Sequence, residues 1–121
     1  MTQANDDILD VLRNDLEAGD GSFLIQTRVH LEWDREAFSR LTEAMLVYCE
    51  AHTGDETLER WVASGFYYLS FAVKDWTTHP NFPRPYPPEY YEKAYERLSD
   101  LGYYCLFGDS PYEARRGFEP L

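Results

Sequence analysis

The sequence predicts an all-α fold: one domain over residues 1–121, a bundle of about four helices with a Pro-rich crossover and an extended or irregular segment near 23–33. Three observations predict it. Apolar residues recur at three- and four-residue steps over most of the chain. Residues suited to helix ends stand at the borders of those stretches: Asn5, Asp34 and Pro88 before, Gly19 and Gly54 after. Only one stretch alternates with period two, and a lone strand leaves its backbone groups unpaired. With 44% apolar and 17% aromatic residues, the chain has enough side-chain surface to offset its conformational entropy.

The first predicted helix runs over about 5–18, with Asn5 as cap. Asp6 and Asp7 stand at the positive end of its dipole, and Ile8, Leu12 and Leu16 form its stripe. "FLIQTRVHLEW" (23–33) puts Phe23, Ile25, Val29, Leu31 and Trp33 on one side, a strand signature. Three readings stay open for it: helical against its pattern, extended along the bundle, or paired with its own copy in a homodimer through 23–33. The second helix, over about 34–53, carries Phe38, Leu41, Met45, Tyr48 and Cys49.

The third, over about 55–77, has the stripe Leu58, Trp61, Val62, Gly65, Leu69, Val73 and Trp76. Phe66, Tyr67, Tyr68 and Phe71 make it apolar almost all round, so a central position is expected, with Gly65 admitting a close neighbour. The connector 79–88, "HPNFPRPYPP", holds five prolines. As polyproline II it spans about 31 Å, and the third helix is about 33 Å long. The connector therefore reaches back along that helix, and the fourth helix, over about 88–106, is expected to run parallel to the third. Its stripe is Tyr91, Ala94, Leu98, Leu101 and Cys105.

A net charge of −11, from 22 acids against 11 bases, repels phosphate backbones and argues against nonspecific nucleic-acid binding. It favours encounter with a basic protein partner. The acids concentrate early: Asp6, Asp7, Asp10, Asp15, Glu17 and Asp20 stand against Arg13 alone within residues 1–20. No apolar run approaches the length of a membrane span, so no membrane partner is expected. The N-terminus has no signal-peptide pattern, and two cysteines without framework spacing point to the reducing cytoplasm.

The binding candidates are the acids Asp6, Asp7, Asp10 and Glu17 and the aromatics Tyr67, Tyr68, Tyr90, Tyr103, Tyr104 and Trp76. One small core has no room for so many tyrosines, and exposed tyrosine beside acid is the composition of a protein-binding surface. Cys49, His52, His79 and Cys105 supply the residue types of a metal site, although Cys49 and Cys105 fit apolar stripes equally well. Asp75, His79 and Cys105 offer a nucleophilic set on paper. No phosphate loop or hydrolase motif occurs, and no cofactor is expected. The two PxxP spacings in the connector read as scaffolding.

The function expected first is a small acidic cytoplasmic module that neutralises or scaffolds a basic protein. In composition, and by no shared motif, it resembles bacterial toxin-immunity and other inhibitor proteins. The other readings are a small enzyme or ligand-binding protein with an aromatic pocket between the third and fourth helices, and a nucleic-acid-mimic inhibitor built on the early acids.

Overall fold

The computed structural model describes the backbone of residues 3–113 and 115–121, and within those the side chains from Ile8 onward. Five helices and no strand occur among the described residues: α1 (Gln3–Leu16), α2 (Phe23–Arg28), α3 (Arg35–Ala51), α4 (Arg60–Thr77) and α5 (Pro88–Phe107). The all-α expectation holds, with one helix more than predicted.

That extra helix comes from the period-two segment. Ser22 caps it by accepting from the Ile25 N–H at 3.2 Å, and Phe23, Leu24 and Thr27 are buried together. Phe23 and Leu24 are sequence neighbours, and a strand would send them to opposite faces. The first half of "FLIQTRVHLEW" is thus helical against its pattern, and only 29–34 is irregular. Strand pairing with a second copy is not available to 23–28 in this conformation. Val29 and Leu31 of the presumed apolar row are exposed, whereas Trp33 is buried.

Other boundaries move for local reasons. α1 already includes Asn5, so Asn5 does not cap it, and it stops at Leu16, short of the expected 18. α3 begins where expected, its cap Asp34 accepting from the Ala37 N–H at 3.0 Å. α4 starts at Arg60 and not near 55, with Glu59 at its N-cap position, and the Asp55 carboxylate is engaged by His52 Nδ1 at 2.8 Å. α5 opens on Pro88 and ends at Gly108, whose φ of 72° is the left-handed stop that glycine adopts without strain.

Cross-contacts fix the topology. The Thr77 and Tyr95 hydroxyls meet at 2.6 Å, and a methyl built on Gly102 would touch Ser70 Cβ at 3.4 Å and the Phe66 carbonyl at 3.5 Å. Late α4 therefore lies against early α5 and the middle of α4 against late α5: the two helices are antiparallel. The parallel crossover expected from the proline run does not form. The chain turns at once after α4, with the Phe82 N–H donating to the His79 carbonyl at 3.0 Å. Phe82 is buried as an anchor while all five prolines of the run stay exposed. The run crosses one end of the bundle and does not travel its length.

α3 and α5 are parallel, with Arg35 over Tyr90 near one end and Cys49 against Leu101 near the other. α1 packs on α3 and reaches α4 at Gly65, where an added Cβ would lie 2.6 Å from Leu16 Cδ1. The close approach expected at Gly65 is real. The tail returns along α3. Arg115 pairs with Glu43 and Glu50, Phe118 is buried, and Arg97 donates to the carbonyls of Gly117 and Glu119.

The core centres on Trp33. Its ring packs against Phe23 at 4.9 Å, Phe38 at 5.3 Å and Tyr91 at 5.0 Å. Its Nε1–H donates to the Tyr90 hydroxyl at 2.9 Å.

Candidate interaction surface

α4 does not sit at the centre of the bundle. Val62, Phe66, Leu69 and Val73 face the core, which at 100° per residue turns Tyr67 and Phe71 outward and Tyr68 towards α1 and α2. Among the described residues no helix covers this side. On α5 the buried set Tyr91, Ala94, Leu98, Leu101 and Cys105 likewise turns Tyr103 and Phe107 outward. Because Gly102 sits between Phe66 and Ser70 across the seam, the two outward rows lie side by side on one face.

The side chains of that face are large and open: Tyr67 is 61% and Phe107 72% exposed, and Phe71, Tyr103 and Leu106 are exposed with them. They are ordered into pairs. Tyr103 and Phe107 stack at 4.5 Å, and Tyr67 meets Phe71 edge-on at 5.3 Å. Tyr68 contacts both Phe71 and Trp76, each at 5.6 Å, continuing the aromatic row round α4. Scattered exposed apolar residues are ordinary in a small protein, whereas a contiguous row on adjacent helices marks a contact surface.

Acids stand at both ends of this face. Glu92 and Glu96 share the outward side of α5 with Tyr103 and are exposed. At the other end Gly108 faces Gly54, its built Cβ 3.7 Å from the Gly54 nitrogen, which brings exposed Glu56 and Asp109 to the same region, while the Glu59 carboxylate accepts from Trp61 Nε1. Lys74, Lys93 and Arg60, all exposed, are the nearby cations, and Lys74 leans over the Tyr95 ring at 6.0 Å.

The sequence candidates sort unevenly against this arrangement. Tyr67, Tyr68 and Tyr103 lie on the face. Tyr90 and Tyr104 do not. Tyr90 is core, its hydroxyl holding Trp33 and its pKa raised first of all by burial. Tyr104 is buried beside Thr53, hydroxyl to hydroxyl at 3.3 Å. Trp76 is half-buried under the Arg28 guanidinium at 4.8 Å. Glu17, just after α1, joins the surface, lining an open groove of about 350 Å3 with Leu16, Trp61 and Tyr68. Asp10 shares its exposed side, but Arg13 stands between them and pairs with Glu17 at 3.2 Å, which breaks the acid stripe required of a phosphate mimic. Asp6 and Asp7 lie outside the described side chains.

Phe71, Leu106 and Phe107 are additions. Their signal was present in the sequence, since each is an apolar residue off the buried stripe of its own helix.

The metal set is not assembled, and no group of three or more ligating side chains occurs among the described residues. His52 stacks on Tyr48 at 4.2 Å and bonds Asp55. His79 sits in the connector, its Nδ1 accepting from the Asn81 N–H at 3.2 Å. Asp75 and His79 share an open groove of about 350 Å3 with Arg28 and Trp76, but Cys105 lies near the far end of α5. Cys49 and Cys105 do meet, both buried and free. The neighbouring Cys105 thiol, then burial, pushes the Cys49 pKa up, and Cys49 Sγ donates to the Leu101 carbonyl at 3.8 Å. Both thiols should stay unreacted with a thiol reagent in the native protein and react once urea unfolds it. Rapid modification of either in the native state would contradict the packing.

The expected pocket between the third and fourth predicted helices is closed by the contact of Gly102 with Ser70 and Phe66. A recess of about 390 Å3 lies instead between α3, α5 and the tail, lined by Phe38, Leu46 and Phe118. Its arginines are engaged within the chain, Arg97 by carbonyls and Arg115 by carboxylates.

No known protein family, curated protein or solved structure matches the chain.

Proposed function

We propose that the chain is a protein-binding module that occludes or scaffolds a basic protein partner, with the outer face of α4 and α5 as its contact surface. The observation that carries this reading is the row Tyr67, Phe71, Tyr103 and Phe107, exposed and paired ring to ring. Aromatic anchors slow dissociation, and a net charge of −11 speeds encounter with a cation-rich surface. The mode is that of an immunity or inhibitor protein, in which covering the partner is the whole activity. Two free, buried thiols support a cytoplasmic setting for it.

Affinity capture from native cells, run in parallel with wild type and a Tyr67→Ser/Phe71→Ser/Tyr103→Ser/Phe107→Ser variant, tests the reading. Wild type should retain a basic protein and the variant should lose it, with the far-UV dichroism of the two alike. Loss of a single hot-spot anchor typically costs about 2 kcal/mol, roughly thirty-fold in affinity. Equal retention by both proteins would refute the assignment of the face.

A further inference from the structure

We infer that the tail, residues 115–121, is a built-in ligand covering a second contact site, a peptide groove between α3 and α5. The same groove takes a partner's segment that carries an arginine and, three positions on, a phenylalanine. This site does not depend on the outer face of α4 and α5. The tail shows what the groove recognises. Arg97 stands over the Phe118 ring at 5.6 Å and donates to the Gly117 and Glu119 carbonyls at 3.4 and 2.5 Å. Arg35, itself over the Tyr90 ring at 4.2 Å, donates to the main-chain oxygen of Leu121 at 2.6 Å. These bonds grip main-chain oxygens, so they fix a path and demand no particular side chain along it.

Selection comes at two points. Arg115 sets two nitrogens on the Glu50 carboxylate at 2.7 and 2.8 Å and a third 3.3 Å from Glu43. That forked geometry suits arginine and is beyond lysine. Phe118 is the buried anchor. A turn in which the Phe118 N–H donates to the Arg115 carbonyl at 2.9 Å sets the distance between the two. The recognised unit is therefore Arg-x-x-Phe followed by extended chain.

The tail is held as a ligand is held. Among the described residues no backbone–backbone hydrogen bond joins 115–121 to a helix. Phe118 is the one buried residue of the segment, and the tail bridges the recess of about 390 Å3 without filling it, leaving Phe38 and Leu46 in its wall. A segment with one apolar anchor and otherwise side-chain bonds opens more easily than the bundle beneath it. Tethered to its site, it competes at an effective concentration of about millimolar. It lowers the apparent affinity for any other segment by the fraction of time the groove stands open. A second copy's tail carries the same anchors, but two chains at −11 repel each other, whereas a basic partner is drawn in.

The test titrates a labelled peptide of residues 115–121, RRGFEPL, into the intact chain and reads fluorescence anisotropy. Two substitutions loosen the chain's own tail: Phe118→Ala and, at an exposed position, Arg115→Gln. Each should bind the peptide at least tenfold tighter than wild type does, with far-UV dichroism unchanged for Arg115→Gln. Adding Glu43→Gln and Glu50→Gln, or Arg97→Gln, to the Arg115→Gln chain should abolish that gain, because these change the groove itself. A peptide with serine in place of its phenylalanine should bind none of the proteins. A tail that is only part of the core gives the opposite pattern. Loss of the fold in the Arg115→Gln chain, or no gain of peptide by either tail variant, would overturn the inference. So would a wild-type dimer that Phe118→Ala dissolves, since the groove would then serve a second copy.

Discussion

Trp33→Ala should lower the free energy of unfolding by about 4 kcal/mol, in the range measured for removing a large buried aromatic side chain. For a domain of ordinary stability that is a large part of the total, so a substantial unfolded population is expected on warming. The size follows from position. Trp33 belongs to no helix, lies in the irregular link between α2 and α3, and yet is buried. Its ring joins Phe23 of α2, Phe38 of α3 and Tyr91 of α5, so one deletion opens a cavity against three elements at once. The Tyr90 hydroxyl, itself in a buried residue, loses the Nε1–H that it accepts at 2.9 Å. Trp33→Phe should cost distinctly less, because it keeps most of the ring contacts and forfeits mainly the hydrogen bond. Urea denaturation followed by far-UV dichroism separates the two. A Trp33→Ala loss below about 1 kcal/mol, the size of an ordinary surface effect, would show that the ring cluster does not hold the elements together.

The parts of this fold that were legible in the sequence are those decided locally. Asp34 and Pro88 announce α3 and α5 because a cap acts within three residues of itself. The parts that were not legible depend on partners distant in sequence. The alternation over 23–33 is as regular as a strand's, but no other strand exists among the described residues to receive it. Phe23 and Trp33 instead converge on Phe38. The proline run had the length to follow the third helix, but length sets only a limit. Burial of Phe82 beside the end of α4 decided the route.

The contact surface divides in the same way. Composition implied that some tyrosines must be exposed, and Tyr67, Tyr68 and Tyr103 are. Tyr90 and Tyr104 are buried, and each hydroxyl meets a partner, Trp33 and Thr53, that lies more than fifty residues away in sequence. Phe71 and Phe107 stand off the buried stripes of their helices in the sequence itself, but only the antiparallel register sets their rows side by side.

A second large effect is expected at Asp15, which charge counting alone would class with the solvated acids of α1. It is buried, and burial pushes its pKa from 3.8 up to about 6, against the opposing pull of a hydrogen bond from the Phe23 backbone N–H and of the Arg40 charge. For a carboxylate raised on folding, the native state holds the proton more tightly than the unfolded chain. The contribution of Asp15 to stability is therefore greatest below about pH 4, falls as pH rises to about 6, and stays lower above that. The shift corresponds to about 3 kcal/mol at neutral pH. Asp15→Asn removes the charge and retains an oxygen to accept from Phe23. It should match wild type near pH 4, exceed it by up to about 3 kcal/mol near pH 8, and flatten the slope between. The difference between the two stability curves isolates Asp15, because the repulsion among the remaining acids is common to both proteins. Parallel curves from urea denaturation across that range would mean that the carboxylate is not buried at the start of α2. A gain confined to high pH would mean that this helix, whose Phe23 also packs on Trp33, is held against the charge of Asp15 and not by it.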